Sequence, residues 1–292
     1  MFKGSIPALV TPFRGGKVDE SAYSQLIERQ IAAGSHALVP CGTTGESATL
    51  SHDEHRRSVE LCVEIVAGRV PVIAGAGSNS TLEAIGLVDH AKKIGADAAL
   101  TVCPYYNRPG QQGLINHFLA IADAVEMPLV LYNVPSRTVV DLEPETLGVL
   151  SKHPNIIGIK DATGDVGRVA WHRQLCEKNF CLLSGDDTTS IGFSAMGGAG
   201  CISVTANVAP IPMAAMHNAV LDGNFAEAAR INQTLQRLHR ALFLESSPAP
   251  TKFALAELGL IDPEVRSPIL EMMSDAAKQE IRTAMEEAGV TS

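Results

Sequence analysis

The chain has 292 residues, 46% of them apolar, and a net charge of −9. That length and apolar share suffice for one large α/β core, and the acidic total argues against nucleic acid or an anionic membrane as a partner. No apolar run reaches the roughly 18 residues of a membrane span, and the opening "MFKGSIPALVTPF" lacks the long apolar core of a secretory signal, so a cytoplasmic location is expected. The cysteines (41, 62, 103, 176, 181 and 201) sit singly with no CxxC pair, which points to buried free thiols rather than disulfides or metal ligands.

Short, nearly continuous apolar runs recur along the first two-thirds of the chain. In order they are "SIPALV" (5–10), "HALVP" (36–40), "PVIAG" (71–75), "DAALTV" (97–102), "PLVLY" (128–132), "IIGIK" (156–160), "CLLSG" (181–185) and "CISVT" (201–205). Continuous rather than alternating apolarity is the mark of parallel strands covered on both faces. Helical periodicity fills the gaps, as in "DESAYSQLIERQIAAG", with an Asp start and a Gly stop, "TLEAIGLVDHAKKIG", "GLINHFLAIADAVE" and "GRVAWHRQLCEK". Eight such βα units predict a (β/α)8 barrel, with a doubly wound open sheet as the runner-up. From about Pro210 onward the pattern is helical almost throughout. A barrel needs one more helix there, so residues 1–223 are expected to form the barrel and residues 224–292 a C-terminal helical extension.

Active sites of such barrels lie where the strands end. The second run is followed by "CGTTGES" (41–47), in which Gly42 and Gly45 permit a tight loop, its N–H groups turned inward, and Thr43 and Thr44 add hydroxyls, a cradle for a carboxylate or phosphate. The fourth is followed by "PYYNRPG" with Tyr105 and Tyr106. The fifth ends at Tyr132 and leads into "NVPSRT" with Arg137. The sixth ends at Lys160, and the seventh leads to Gly185, Asp186 and Asp187. Neither an H-E-x-x-H motif nor an acidic set with metal spacing is present, and a G-x-G-x-x-G turn is absent too.

Lys160 is the odd residue in this set, a cation closing an apolar strand. A salt bridge to Asp161 or Asp186, or a stem reaching to solvent, is the plain explanation. The sharper one is chemical. A neutral amine attacks a ketone to form an imine, and the imine is an electron sink for making or breaking a carbon–carbon bond. That chemistry needs a proton shuttle, and Tyr132, Thr43 and Tyr106 supply the hydroxyls. Arg137 offers a fork for a substrate carboxylate.

Taken together, "GTTGE" (42–46), "YYNRP" (105–109), "YNVPSRT" (132–138), "IKDATGD" (159–165) and "LLSGDD" (182–187), with "LFLESSPAPTKFALAELGL" near the C-terminus, resemble the dihydrodipicolinate synthase family along essentially the whole chain. The resemblance implies condensation of pyruvate with L-aspartate 4-semialdehyde and needs no metal or organic cofactor. It makes Lys160 the Schiff-base lysine, Tyr132 the proton-transfer tyrosine, Thr43 the relay threonine, and Tyr106 the tyrosine reaching a neighbouring subunit's site. Thr43 and Thr44 would hold the pyruvate carboxylate and Arg137 that of the semialdehyde, with Gly185 and Ile202 as main-chain neighbours of pyruvate. It further implies a homotetramer, a dimer of dimers.

Relatives with the same barrel and lysine, N-acetylneuraminate lyase and the keto-deoxy sugar-acid aldolases, are the alternative, which Arg137 and the double threonine disfavour. A non-catalytic barrel that binds a keto acid is the alternative of another class, and it should have lost Lys160 or Tyr132. Val139 stands where the family often has a glycine, next to Arg137. In "ESATLSHDEH" (46–55), His52 and His55 open a helix, too few ligands for a metal. The resemblance assigns Ser47, Ala48, His52, His55, Asn79, Glu83 and Tyr105 to a regulatory site for L-lysine.

Overall fold

The computed structural model describes residues 2–272 and 274–290. In chain order the elements are β1 (Gly4–Pro7), β2 (Phe13–Arg14), β3 (Lys17–Val18), α1 (Glu20–Ala32), α2 (His52–Val66), β4 (Ile73–Gly75), α3 (Thr81–Lys93) and β5 (Ala98–Val102). They continue with α4 (Gln111–Ala124), β6 (Leu129–Asn133), α5 (Pro135–Thr138), α6 (Pro144–Leu150), β7 (Ile156–Asp161), α7 (Arg168–Leu175), β8 (Cys181–Ser184) and α8 (Ser190–Ala195). The chain then passes through β9 (Gly200–Ser203) to α9 (Pro210–Leu221), α10 (Phe225–Ala241), α11 (Ala249–Glu257) and α12 (Asp275–Glu287). Two compact units share these elements. Pro71–Ile202 belong to one, and Gly4–Val70 with the residues from Ser203 onward to the other.

In the first unit β4, β5, β6, β7, β8 and β9 follow one another as parallel neighbours. Ile73, Ala98, Leu129, Val130, Leu131, Ile159 and Leu182 are fully buried, as continuous apolar strands require. Helices α3, α4, α6 and α7 pack side by side in the order of the strands. Two glycines set how closely the strands and loops approach. A Cβ on Gly158 would stand 2.5 Å from the Cys181 carbonyl oxygen, and one on Gly77 2.4 Å from the Val102 nitrogen. The glycine inside "IIGIK" is therefore a packing requirement of β7 against β8.

In the second unit β1 leads into Ala8, which forms a single parallel bridge with Val39. The run "HALVP" was expected to be a full strand and is only this short bridged segment. Pro40 has no N–H to extend a ladder, and Cys41 turns the chain away at φ 53°. The β2–β3 hairpin was not expected, although Gly15 and Gly16 at its tip (φ 60° and 80°) are the residue types such a turn demands. Helix ends match their sequence signals. Asp19 caps α1, accepting from the Ala22 N–H at 3.0 Å, and Gly34 leaves it at φ 84°. Ser51 and Glu54 form a reciprocal capping box at the start of α2. Asn224 caps α10, where the C-terminal helices were expected to begin, and α10 packs against α9 and α12.

Every cysteine is a free thiol, and all but Cys176 are buried. Burial pushes Cys41 and Cys103 up to about 12. Among the described residues no helix is long and apolar enough to cross a membrane.

Candidate active site

Lys160 and Tyr132 are register partners on adjacent parallel strands, so both side chains leave the sheet on the same face. Lys160 is 5% exposed and Tyr132 6%, and the lysine Nζ lies 4.1 Å from the centre of the tyrosine ring. Both strands run one residue further than expected, to Asp161 and Asn133, which are also register partners.

The two carboxylates that offered Lys160 a structural salt bridge are engaged elsewhere. Asp161 is buried. Its Oδ1 accepts from the Thr163 N–H (2.8 Å) and hydroxyl (2.6 Å), and its Oδ2 lies 3.5 Å from Arg168 Nε. Asp186 accepts from the hydroxyls of Thr188 and Thr189 at 2.6–2.9 Å. Further along, Asp165 accepts from the Gly167 N–H at 2.9 Å, immediately before α7. Of the tail "DATGD", Asp161 thus anchors the end of β7 and Asp165 shapes the start of the next helix. Burial drives the imidazole of His172, behind Asp161, below its ordinary value, while Asp161 opposes the shift.

The other expected residues of this unit occupy distinct places. Gly185 follows β8, its N–H donating to the Asp161 carbonyl at 2.7 Å, and Ile202 is buried in β9. Arg137 is exposed on the one-turn helix α5, which ends at Val139 in the left-handed region (φ 57°). A side-chain clasp closes the loop around it. Asn133 Nδ2 donates to Asp141 Oδ1 at 2.7 Å, Asn133 Oδ1 accepts from the Leu142 N–H at 3.0 Å, and Arg168 Nη1 lies 2.7 Å from Asp141 Oδ2. Tyr106, also left-handed at φ 70°, is 92% exposed. Of the residues assigned to regulation, Asn79 and Tyr105 meet, the Asn79 side-chain amide donating to the Tyr105 carbonyl at 3.2 Å, and Ser78 donates to Glu83.

In the other unit, Gly42–Gly45 form a compact turn closed by Gly45 N–H to Gly42 O and Glu46 N–H to Thr43 O, both 3.1 Å. Thr44 is buried and Thr43 half-buried. A turn of 3₁₀ helix carries Ser47 and Ala48, and the first turn of α2 carries His52, exposed, and His55, buried. Glu46 was not singled out from the sequence, yet it is the buried anchor of this turn, paired with Lys252. A lysine inside the apolar "APTKFALA" was the available signal. Among the described residues, no group of three or more His, Cys, Asp or Glu side chains is placed to hold a metal ion.

Residues 1–288 match the dihydrodipicolinate synthetase family. A 4-hydroxy-tetrahydrodipicolinate synthase from Hyphomonas neptunium is 63% identical over 292 residues, covering 99% of each chain. The crystal structure of the dihydrodipicolinate synthase from Acinetobacter baumannii complexed with pyruvate superposes with a TM-score of 0.97 at 44% identity, covering 99% of this chain and 100% of that one. The corresponding enzyme from Cyanidioschyzon merolae with lysine bound gives a TM-score of 0.94 at 39% identity, covering 99% of each. At this similarity the expected fold stands, a (β/α)8 barrel with C-terminal helices. The chain belongs to the dihydrodipicolinate synthetase family and is an enzyme, a lyase of the Schiff-base aldolase type.

Proposed function

We propose that the protein is a 4-hydroxy-tetrahydrodipicolinate synthase that condenses pyruvate with L-aspartate 4-semialdehyde at Lys160. The observation that carries the reading is the buried Lys160 amine, 4.1 Å from the Tyr132 ring, with Asp161 and Asp186 both engaged by other groups. An amine so placed is available to a carbonyl carbon.

The amine attacks the keto carbon of pyruvate, and the carbinolamine loses water to give the imine. Proton transfer in these steps falls to Tyr132, with Thr43 and Tyr106 completing the relay that the family resemblance assigns. Loss of a methyl proton leaves an enamine, whose carbon attacks the aldehyde of the second substrate. The amino group of the adduct then displaces Lys160, closing the ring and freeing the enzyme. Thr43 and Thr44 hold the pyruvate carboxylate, Gly185 and Ile202 flank it, and Arg137 holds the carboxylate of the semialdehyde. Residues 1–223 are the catalytic barrel and residues 224–292 the helical extension. The working assembly is a homotetramer.

L-lysine is the proposed effector, bound by Ser47, Ala48, His52, His55, Asn79, Glu83 and Tyr105. The lysine-bound relative from Cyanidioschyzon merolae supports this reading. Millimolar L-lysine should lower the initial rate, and an unchanged rate with no binding heat removes the idea.

Borohydride reduction in the presence of pyruvate tests the mechanism. The intact mass should rise by one reduced pyruvate, and the adduct should map to Lys160. An adduct elsewhere, or none, overturns it. Fresh enzyme should turn over L-aspartate 4-semialdehyde and leave N-acetylneuraminate untouched.

A further inference from the structure

The unit that carries Thr43 and Thr44 buries a second lysine, one to which the proposed reaction gives no task. Helix α11 is buried almost all round, from Ala249 to Leu255, and Lys252 sits within it with no exposed surface. Its Nζ lies 2.5 Å from Glu46 Oε1, donates to the Glu264 carbonyl at 2.8 Å, and stands 4.0 Å from the centre of the Phe13 ring. Arg266 closes the same cluster. Its guanidinium lies 4.3 Å from the Phe13 ring centre, and its backbone N–H donates to Glu46 Oε2 at 2.9 Å. Its two terminal nitrogens each donate to Glu54 at 2.6 Å.

Taking an ion pair out of solvent can cost more in desolvation than the pairing returns, and a matched apolar pair of the same volume is often at least as stable. Burial pushes the Lys252 ammonium down to about 8 from 10.5, with Glu46 opposing the shift. Stability alone therefore does not account for the pair, and the turn it anchors does. Glu46 (φ 55°) and Cys41 (φ 53°) are non-glycine residues in the left-handed region, one at each end of Gly42–Gly45. Such backbone persists only where its surroundings over-determine it. The turn itself contributes a few backbone hydrogen bonds, and Thr11 donates to the Gly45 carbonyl at 2.7 Å. Thr49 holds the Glu46 carbonyl through its N–H (3.0 Å) and hydroxyl (3.1 Å), and the side chain of Glu46, drawn inward by Lys252 and by the Arg266 N–H, adds a constraint from outside the turn.

We propose that Lys252 and Arg266 are positioning residues which, through Glu46, fix the Thr43–Thr44 turn in the shape that receives the carboxylate of the keto acid. This rests on the reading that Thr43 and Thr44 hold that carboxylate. The chain segment after β9 then contributes to substrate affinity without touching substrate.

The experiment compares steady-state kinetics of Lys252→Met, Glu46→Gln and Thr44→Val with the parent enzyme, each checked for folding by circular dichroism and thermal melting. Lys252→Met keeps the volume and removes the charge. It should raise the KM for pyruvate about tenfold while the KM for the semialdehyde and the borohydride-trapped fraction at saturating pyruvate hold. A merely structural role lowers the amount of active enzyme, so kcat falls and the pyruvate KM stays put. A pyruvate KM unchanged in folded Lys252→Met, or both KM values rising together, overturns the proposal. If Lys252→Met does not fold, Glu46→Gln, which keeps an acceptor for the Arg266 N–H, is judged by the same criteria. Thr44→Val separates the two readings. If it leaves the pyruvate KM unchanged, the assignment of the turn fails and the positioning claim with it. If it raises that KM while the charge-removing variants do not, the positioning claim alone fails.

Discussion

Gly185 lies against the stem of Lys160. A Cβ built on Gly185 would stand 3.0 Å from Lys160 Cε and 2.7 Å from the Ala162 Cβ. The N–H of Gly185 is tied to the Asp161 carbonyl at 2.7 Å, so the backbone has little room to retreat. Both the lysine stem and the backbone at Ala162 must then give way. Gly185→Ala should lower the melting temperature and displace the amine from its place beside Tyr132. A displacement near 1 Å costs on the order of 10²-fold in rate, so kcat/KM for pyruvate and the rate of borohydride trapping should fall together toward that value. Activity within about twofold of the parent would show that the stem has freedom the close contact denies it.

Val139 is the counterpart in the loop of Arg137. It ends α5 at φ 57° with its side chain largely in solvent, and a β-branched residue there is strained. Left-handed backbone costs an L-residue about 1–2 kcal/mol, part of which a glycine returns as unfolded-chain entropy. Val139→Gly should therefore raise stability by up to about 1 kcal/mol, or about 2 °C in melting temperature. The KM for the semialdehyde should hold, because the clasp between Asn133 and Asp141 fixes the loop independently. A lower melting temperature would mean that the valine methyls contribute more than their exposure indicates.

Glu54 makes the acid limb of stability predictable. Hydrogen bonds from Arg266 bring its carboxyl down to about 2 from 4.5, against the opposing effect of burial. The folded value lies below the unfolded one. The stabilisation is therefore complete above about pH 4.5 and is lost as the pH falls through about 2. Glu54→Gln should melt about 2 °C below the parent at neutral pH, the effect of losing about 1 kcal/mol from a bidentate pair near the surface. The gap should narrow steadily as the pH drops from about 4.5 toward 3. Melting curves across that range are the check, and a gap that does not change with pH removes the carboxylate from the account.

What the sequence revealed and what it concealed divide along physical lines. Strands buried on both faces announce themselves by unbroken apolarity, and Asp19, Ser51 and Asn224 announce helix starts through local hydrogen bonds. Lys160 and Tyr132 were legible because each stands at the end of such an apolar run, one residue short of the strand's last position, so that reading the runs located the candidate site. The segment at 36–40 misled, since its apolarity serves the core while Pro40 and the turn at Cys41 deny it a ladder. Glu46 and Lys252 were hidden for another reason. Nothing local in either stretch names its partner, and only the fold brings "GTTGE" and "APTKFALA" together. The glycine of "IIGIK" belongs with them, since its cause is the Cys181 carbonyl on the next strand.

The clasp of Asn133, Asp141 and Arg168 yields the most selective of these predictions. Burial raises the Asp141 carboxyl, yet the hydrogen bonds from Arg168 and Asn133 outweigh it and hold the group below its ordinary value. The group is therefore a carboxylate at neutral pH, accepting on both oxygens. Asp141→Asn keeps the shape but removes the charge that holds Arg168, and it sets an amide against the donor of Asn133. Of the clasp, the loop from Val134 to Val140 would then keep only the Leu142 bonds to Asn133 and Arg168, and the placing of Arg137 would loosen. On the proposed mechanism Arg137 meets only the second substrate. The KM for the semialdehyde should rise about tenfold, while pyruvate imine formation, read by borohydride trapping, stays near the parent rate. Equal losses for both substrates would place the clasp in the support of β6 and β7 rather than in the recognition of the semialdehyde.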